Sequence, residues 1–293
     1  MRRFLLTLVI TAGLGCPSEE APPVDRSDVG QEPLPAATCV GDGDGVIRAD
    51  EVPAVDLSLG IRSAFLVAPS GSTLPADWAD DDWDLTVESL PVEAGSTQVF
   101  GGPEPLDGAW FADRFPDAQW QAVIDWSTGT RGVFARDGDD VVLLGIASTT
   151  SNHTALAYAP PVPMFALPMA VGDDWEVAAD AAGLADGEVY PQDLGANGVV
   201  SLVHRWTFSI DAAGPARLPG ADLPVLRQDL VLRTEAYNSI AGLFAADAQR
   251  AVFLVAECLG TVARIRSTPD ALDPDFLETT EILRFGLDPE LLP

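Results

Sequence analysis

From Leu202 the chain alternates strictly, with Leu202, His204, Trp206, Phe208 and Ile210 at even positions and mostly polar residues between them. Side chains of an extended strand point to opposite faces with a period of two, so this pattern calls for a half-buried strand and not a helix. It returns at Leu226, Gln228, Leu230 and Leu232 against Arg227, Asp229 and Arg233, and again at Val252, Leu254, Ala256 and Cys258. Gly214, Pro215, Pro219 and Gly220 mark residues 212–224 as the hairpin connection between the first two strands. After Gly260, residues 262–266 extend the sheet past a bulge.

Earlier in the chain, short runs rich in Val, Ile, Leu and aromatic residues are separated by Gly, Pro and Asp. The candidate strands are residues 62–68, 83–90, 121–126, 131–136, 141–148 and 175–179. Asp137-Gly138 signals a hairpin, because glycine supplies the positive φ that tight turns require. Helical segments are few: residues 239–247 and 273–280, with a turn at 50–52. The expected fold is all-β, a mainly antiparallel β sandwich or curved half-barrel sheet with short helices, forming a single β-rich domain over residues 54–293.

A hydrophobic content of 47% is ample for a core, and a net charge of −29 repels nucleic acid, so no nucleic-acid partner is expected. All 16 basic residues are arginine, leaving no lysine amine for Schiff-base chemistry. With His153 and His204 alone, no three-histidine metal site can form within one chain. G-x-S-x-G, P-loop, H-E-x-x-H and paired C-x-x-C motifs are all missing. His153 stands beside Ser151 in a polar turn, where a surface histidine is far commoner than a catalytic one, and His204 shares a face with Trp206 as a semi-buried imidazole. Trp78, Trp83, Trp110, Trp120 and Trp126 read more simply as core than as a sugar platform. The chain is therefore expected not to be an enzyme, with an unrecognised hydrolase as an alternative.

Residues 1–15 have the parts of a signal peptide: Arg2 and Arg3, an apolar run from Phe4 to Ala12, then small residues. Gly13-Leu14-Gly15-Cys16 resembles the lipobox of bacterial lipoproteins, although the family usually has leucine where Gly13 stands. The resemblance implies acylation of Cys16, a membrane as partner and, with Pro17 next instead of aspartate, the outer membrane as destination. Residues 16–38, holding Pro17, Pro22, Pro23, Pro33 and Pro35, form a disordered linker that would set the domain roughly 25 Å from its anchor. With Cys16 given to lipid, Cys39 and Cys258 become an even pair, expected as a disulfide in an oxidising compartment, the alternative being two buried thiols.

Residues 39–53 contain the one stretch with ligand-like spacing. The run from Val40 to Glu51 resembles the twelve-residue EF-hand loop: Asp42 and Asp44 match carboxylate positions, Gly45 the sharp turn, Val46 the carbonyl position and Glu51 the closing bidentate carboxylate. Calcium is the cofactor this implies, with Asp42, Asp44, Val46 and Glu51 as ligands. Val40 departs from the family, which has aspartate at the first position, and Pro53 ends any following helix.

Residues 167–175, Leu-Pro-Met-Ala-Val-Gly-Asp-Asp-Trp, resemble a turn-plus-strand phrase of exported β-rich bacterial lipoproteins with a curved antiparallel sheet. That likeness implies a half-barrel around an apolar cleft, as in periplasmic carriers of acyl chains. The expected function is a lipid-anchored cell-envelope protein with a binding or structural role, stabilised by calcium, or alternatively a carrier of an apolar ligand in a β-sheet cleft.

Overall fold

The computed structural model describes residues 41–52, 63–101, 103–190 and 201–285, apart from 69, 75–77, 79–82, 87–89, 91–96, 126–127, 151–152, 186–187, 220 and 239–241. The chain divides into two units, Met1–Ala36 and Ala37–Pro293, and the described residues all belong to the second. The signal segment, the linker, Cys16 and Cys39 lie outside the described residues.

The fold is all-β. Its strands are β1 (Val46–Ile47), β2 (Ser63–Ala68), β3 (Trp83–Asp84), β4 (Thr97–Gly101), β5 (Trp120–Asp125), β6 (Thr130–Asp137), β7 (Asp140–Ser148) and β8 (Ala155–Phe165). They continue as β9 (Met169–Ala170), β10 (Asp174–Ala185), β11 (Glu188–Tyr190), β12 (Ser201–Leu218), β13 (Ala221–Asn238), β14 (Gly242–Ala256), β15 (Gly260–Ser267) and β16 (Thr279–Phe285). Two 3₁₀ turns, Ala49–Glu51 and Ala112–Arg114, are the helical content among the described residues. Among those residues no helix is long and apolar enough to cross a membrane. One large open sheet runs in the order β4-β2-β16-β15-β14-β13-β12-β10-β8-β7-β6-β5, antiparallel along that path, while β1 and β9 pair separately.

A single inserted residue distributes the core over both faces of this sheet. Ile210 pairs with Gln228 but Ala212 pairs with Arg227, so Asp211 is a bulge. A one-residue slip moves every later side chain to the other face. Accordingly Trp206, Phe208 and Ile210 join Leu226 and Leu230 in the core on one face. Beyond the bulge, Ala212, Ala216 and Leu218 join Val225, Val252, Leu254 and Ile265 on the other, beneath Leu74, Trp78, Trp83 and Leu85. Residues 225–230 are consequently buried without a break, and the polar ones need partners. Arg250 meets Asp229 with two bonds of 2.6 Å, and the Arg227 guanidinium lies 5.1 Å from the centre of the Trp78 ring. A third cluster packs Phe111 and Phe115 against Val133, Ala147 and Ala155.

Several sequence expectations need correction. Residues 212–224 are strand rather than connection: Pro215 sits opposite Pro224, and the two strands continue to the pair Leu218–Ala221. The prolines are tolerated because β10 stops pairing at Ser209 and β14 begins at Leu226, so neither missing N–H breaks an outer ladder. The expected helix at 239–247 is replaced from Gly242 by β14, whose alanines pair with Ala236, Glu235 and Arg233, and residues 239–241 lie outside the described set. Tertiary pairing here overrides alanine's helix propensity.

Residues 273–280 are not helical either, because their backbone is committed to the 72–78 segment. Trp78 Nε1 donates to the Phe276 carbonyl (3.1 Å), Leu74 N to that of Leu277 (2.9 Å), and Thr279 N to that of Ser72 (3.1 Å). The strand expected over 83–90 stops at Asp84, whose Oδ1 accepts from both N and Oγ1 of Thr86 in a side-chain turn. Cys258, expected on a strand face, lies in the β14–β15 turn with φ 63°.

Candidate functional site

The sheet curls until its far strands meet. Seven strands separate β15 from β5 along the ladder, yet Arg266 of β15 donates to Asp125 of β5 at 2.6 Å. Inside the curl lies a cavity of about 260 Å³ with a largely apolar wall that includes Phe134, Leu143, Met164, Leu230 and Phe253. Its polar end holds Asp125, Gln249, Arg264 and Arg266. Arg264 donates from Nε to Glu281 Oε1 at 2.7 Å, and Arg266 also donates to Gln249 Oε1 at 2.7 Å. Burial pulls the Arg264 guanidinium down from its usual range, a pull that Glu281 opposes.

Tyr158, His204 and Trp206 line the same cavity as one group of rings, with centroids 5.3 Å apart for Tyr158–His204 and 5.9 Å for Tyr158–Trp206. The Tyr158 hydroxyl and His204 Nδ1 are hydrogen-bonded at 2.8 Å. Burial lowers the His204 pKa to about 4 and pushes the Tyr158 phenol well up, so both are neutral at pH 7. Trp206 Nε1 finds no acceptor among the described residues. His204 is thus the semi-buried imidazole that its strand position suggests, while His153 sits in an exposed turn and Ser151 lies outside the described residues. Trp78 and Trp83 belong to one core and Trp120 to another, so they form no shared platform.

One end of the curl is capped by the loop that resembles an EF-hand. Ile47 of β1 and Met169 of β9 pair and enter the core, together with Val52. Arg136 of β6 donates to the carbonyls of Ala49 and Val52, at 3.1 and 3.2 Å, and so fixes the 3₁₀ turn. The loop folds on itself through Asp42 Oδ1, which accepts from Asp44 N (3.1 Å), and Asp44 Oδ1, which accepts from Val46 N (2.8 Å). Gly43 and Gly45 take φ of 68° and 80° there, a region that glycine enters without cost.

All four nominated ligands face one point, and the Arg48 guanidinium is at that point. It stands 2.5 Å from Asp44 Oδ2, 3.7 Å from Asp42 Oδ2, 3.7 Å from Glu51 Oε2 and 3.4 Å from the Val46 carbonyl. Arg48 holds the Asp44 carboxyl below its usual range, and Asp44 in turn raises Arg48. The oxygen set therefore suits a hard cation in kind, but an internal cation already stands where it converges.

Glu257, in the β14–β15 turn, supplies the carboxylate that Val40 does not. Its Oε2 accepts from Gly43 N at 2.9 Å, and carboxylate oxygens of Asp42, Glu51 and Glu257 lie within 4.8 Å of one another. It stands 214 residues from Gly43, and no local spacing points to it. Beside it, Cys258 N donates to the Glu51 carbonyl at 2.7 Å. Cys258 is disulfide-bonded, with its partner outside the described residues.

A wider groove of about 550 Å³ lies between this loop and the β12–β13 hairpin, lined by Gly43, Pro215, Pro224 and Glu257 among others. It is more open than the curl's interior, and no buried unpartnered donor lines it among the described residues. Compared with known proteins, the chain matches no family model, no curated protein and no solved structure.

Proposed function

We propose that this chain is a lipid-anchored protein of the cell envelope whose β domain binds a small, largely apolar ligand in the interior of the curled sheet. The observation that carries the binding role is the cavity of about 260 Å³, walled by hydrophobic side chains from strands far apart in sequence. The Gly13-Leu14-Gly15-Cys16 run and the proline-rich linker support the anchored part, with acylated Cys16 in the outer membrane and the domain held clear of it. A binding role in place of catalysis accords with the lack of a catalytic motif in the sequence.

N-phenylnaphthylamine, a neutral apolar fluorophore, tests the cavity. Its emission is expected to rise on mixing with the domain and to stay low with Ala251→Phe, which fills the same space. Equal enhancement by both proteins would exclude the cavity as the site. In cells, Cys16→Ser is expected to move the protein from the membrane to the soluble fraction, and retention on membranes would remove the anchor.

We further propose Cys39 as the partner of Cys258, since Gly41 already lies against Glu257. Calcium is proposed as a weak structural ligand of Asp42, Asp44, the Val46 carbonyl and Glu51, which it reaches only by displacing Arg48. Arg48→Gln is accordingly expected to tighten calcium binding about fivefold in isothermal titration, from a millimolar starting point, because it removes a like charge from the site. Unchanged affinity would remove the loop as a calcium site.

A further inference from the structure

The cavity has hydrogen-bond donors to spare and no charge to spare. Arg264 is matched by Glu281 and Arg266 by Asp125, so each guanidinium at the polar end already has its carboxylate, although Arg264 Nη2, 2.5 Å from Glu281 Oε1, makes no hydrogen bond of its own. The Gln249 side chain is committed as well, donating to the Ser267 carbonyl and Thr280 Oγ1 while accepting from Arg266. Against this balance, the Trp206 Nε1–H has no acceptor among the described residues, although Trp206 is only 5% exposed.

A second hydrogen is left over by the pair beside it. Neutral tyrosine and neutral histidine carry one phenolic and one imidazole hydrogen, and the single bond between Tyr158 and His204 uses only one. If the phenol donates, His204 Nε2–H remains; if the imidazole donates, the phenolic O–H remains. Either tautomer leaves one donor, and neither residue has another partner among the described residues. Tyr158 and His204 are each 6% exposed and both line the cavity, so that hydrogen is available to a ligand there. An unsatisfied buried donor is costly, and a ligand that brings an acceptor recovers that cost.

Resting on the cavity reading above, we infer that the site selects an uncharged, mostly apolar molecule bearing a carbonyl-type oxygen, which accepts from Trp206 Nε1 and from the Tyr158–His204 pair. A free carboxylate is disfavoured, because it would be stripped of water in a space whose cations are already neutralised. A plain hydrocarbon fills the wall but leaves both donors unmet.

Three probes of similar length separate these possibilities by displacement of N-phenylnaphthylamine at pH 7.5: methyl octanoate, octanoate and nonane. Methyl octanoate is expected to bind about tenfold more tightly than either of the others, the scale of one or two buried hydrogen bonds. Trp206→Phe keeps an aromatic face and deletes the N–H; it is expected to reduce the ester's advantage over nonane several-fold, read as a ratio so that the change in the apolar wall, common to both probes, cancels. Octanoate binding as tightly as the ester, or an advantage that survives in Trp206→Phe, overturns the assignment while the apolar cavity stands. Failure of all three probes to displace the fluorophore overturns the cavity reading along with it.

Discussion

Replacing Glu281 by glutamine is expected to destabilise the domain by ~3–5 kcal/mol, the scale for leaving a buried charge without its partner. Glu281 and Arg264 are 3% and 6% exposed, and the guanidinium donates from Nε to one carboxylate oxygen at 2.7 Å, with Nη2 2.5 Å from the same oxygen. Across the ladder Glu281 lies opposite Arg266, and Arg264 is two residues away on the same strand, so all three side chains share one face. Arg266 keeps Asp125 when Glu281 is neutralised, whereas Arg264 keeps no ion pair among the described residues.

Removing both charges separates attraction from desolvation. With Arg264→Met and Glu281→Leu together, neither ion is buried, and the loss is expected to fall to about 1 kcal/mol or to become a small gain. Urea denaturation of the three proteins provides the comparison, with midpoints read at equal slope. A single substitution that costs no more than the double one would mean that Arg264 finds water or another acceptor at the cavity wall.

Much of the sheet was legible because it depends on local period. The even-numbered residues 202–210 sit on one face and the Asp137-Gly138 turn joins β6 to β7, as the alternation and the dipeptide indicate. What was not legible depends on pairing. Asp211 looks like any polar strand residue, and only its register against Gln228 and Arg227 shows that it turns the later residues over. Pro215 and Pro224 read as loop because a proline usually breaks a ladder; they are strand here because the flanking strands end just short of them. In the candidate site, Asp42, Asp44, Val46 and Glu51 do converge, since one turn of backbone brings them together. Glu257 and the ring group of Tyr158, His204 and Trp206 come from segments joined only by the curl of the sheet, so no spacing in the chain foretells them.

Acid is expected to weaken this domain through His204 in a definite window. Its ordinary value of 6.5 is lowered to about 4 by burial, so the unfolded chain takes up a proton well before the folded one does. Stability gained from the neutral buried ring is complete above about pH 6.5, declines as the pH falls, and levels off below about pH 4. The separation corresponds to about 3 kcal/mol. Among the groups lining the same cavity, Tyr158 is neutral and cannot offset a new charge, the cations Arg264 and Arg266 oppose it, and the Asp125 carboxylate, which favours it, is already paired with Arg266. In the protonated ring both nitrogens carry hydrogens, so Nδ1 can only donate and the phenol can only accept from it. Other groups that titrate in acid act alike in both proteins, so the test is a difference. Urea denaturation at pH 7.5 and pH 4 is expected to show the native domain losing about 3 kcal/mol more than His204→Gln over that interval. Glutamine retains a polar group for Tyr158 but does not titrate, so equal losses would mean that His204 is already solvated, and charged, in the folded protein.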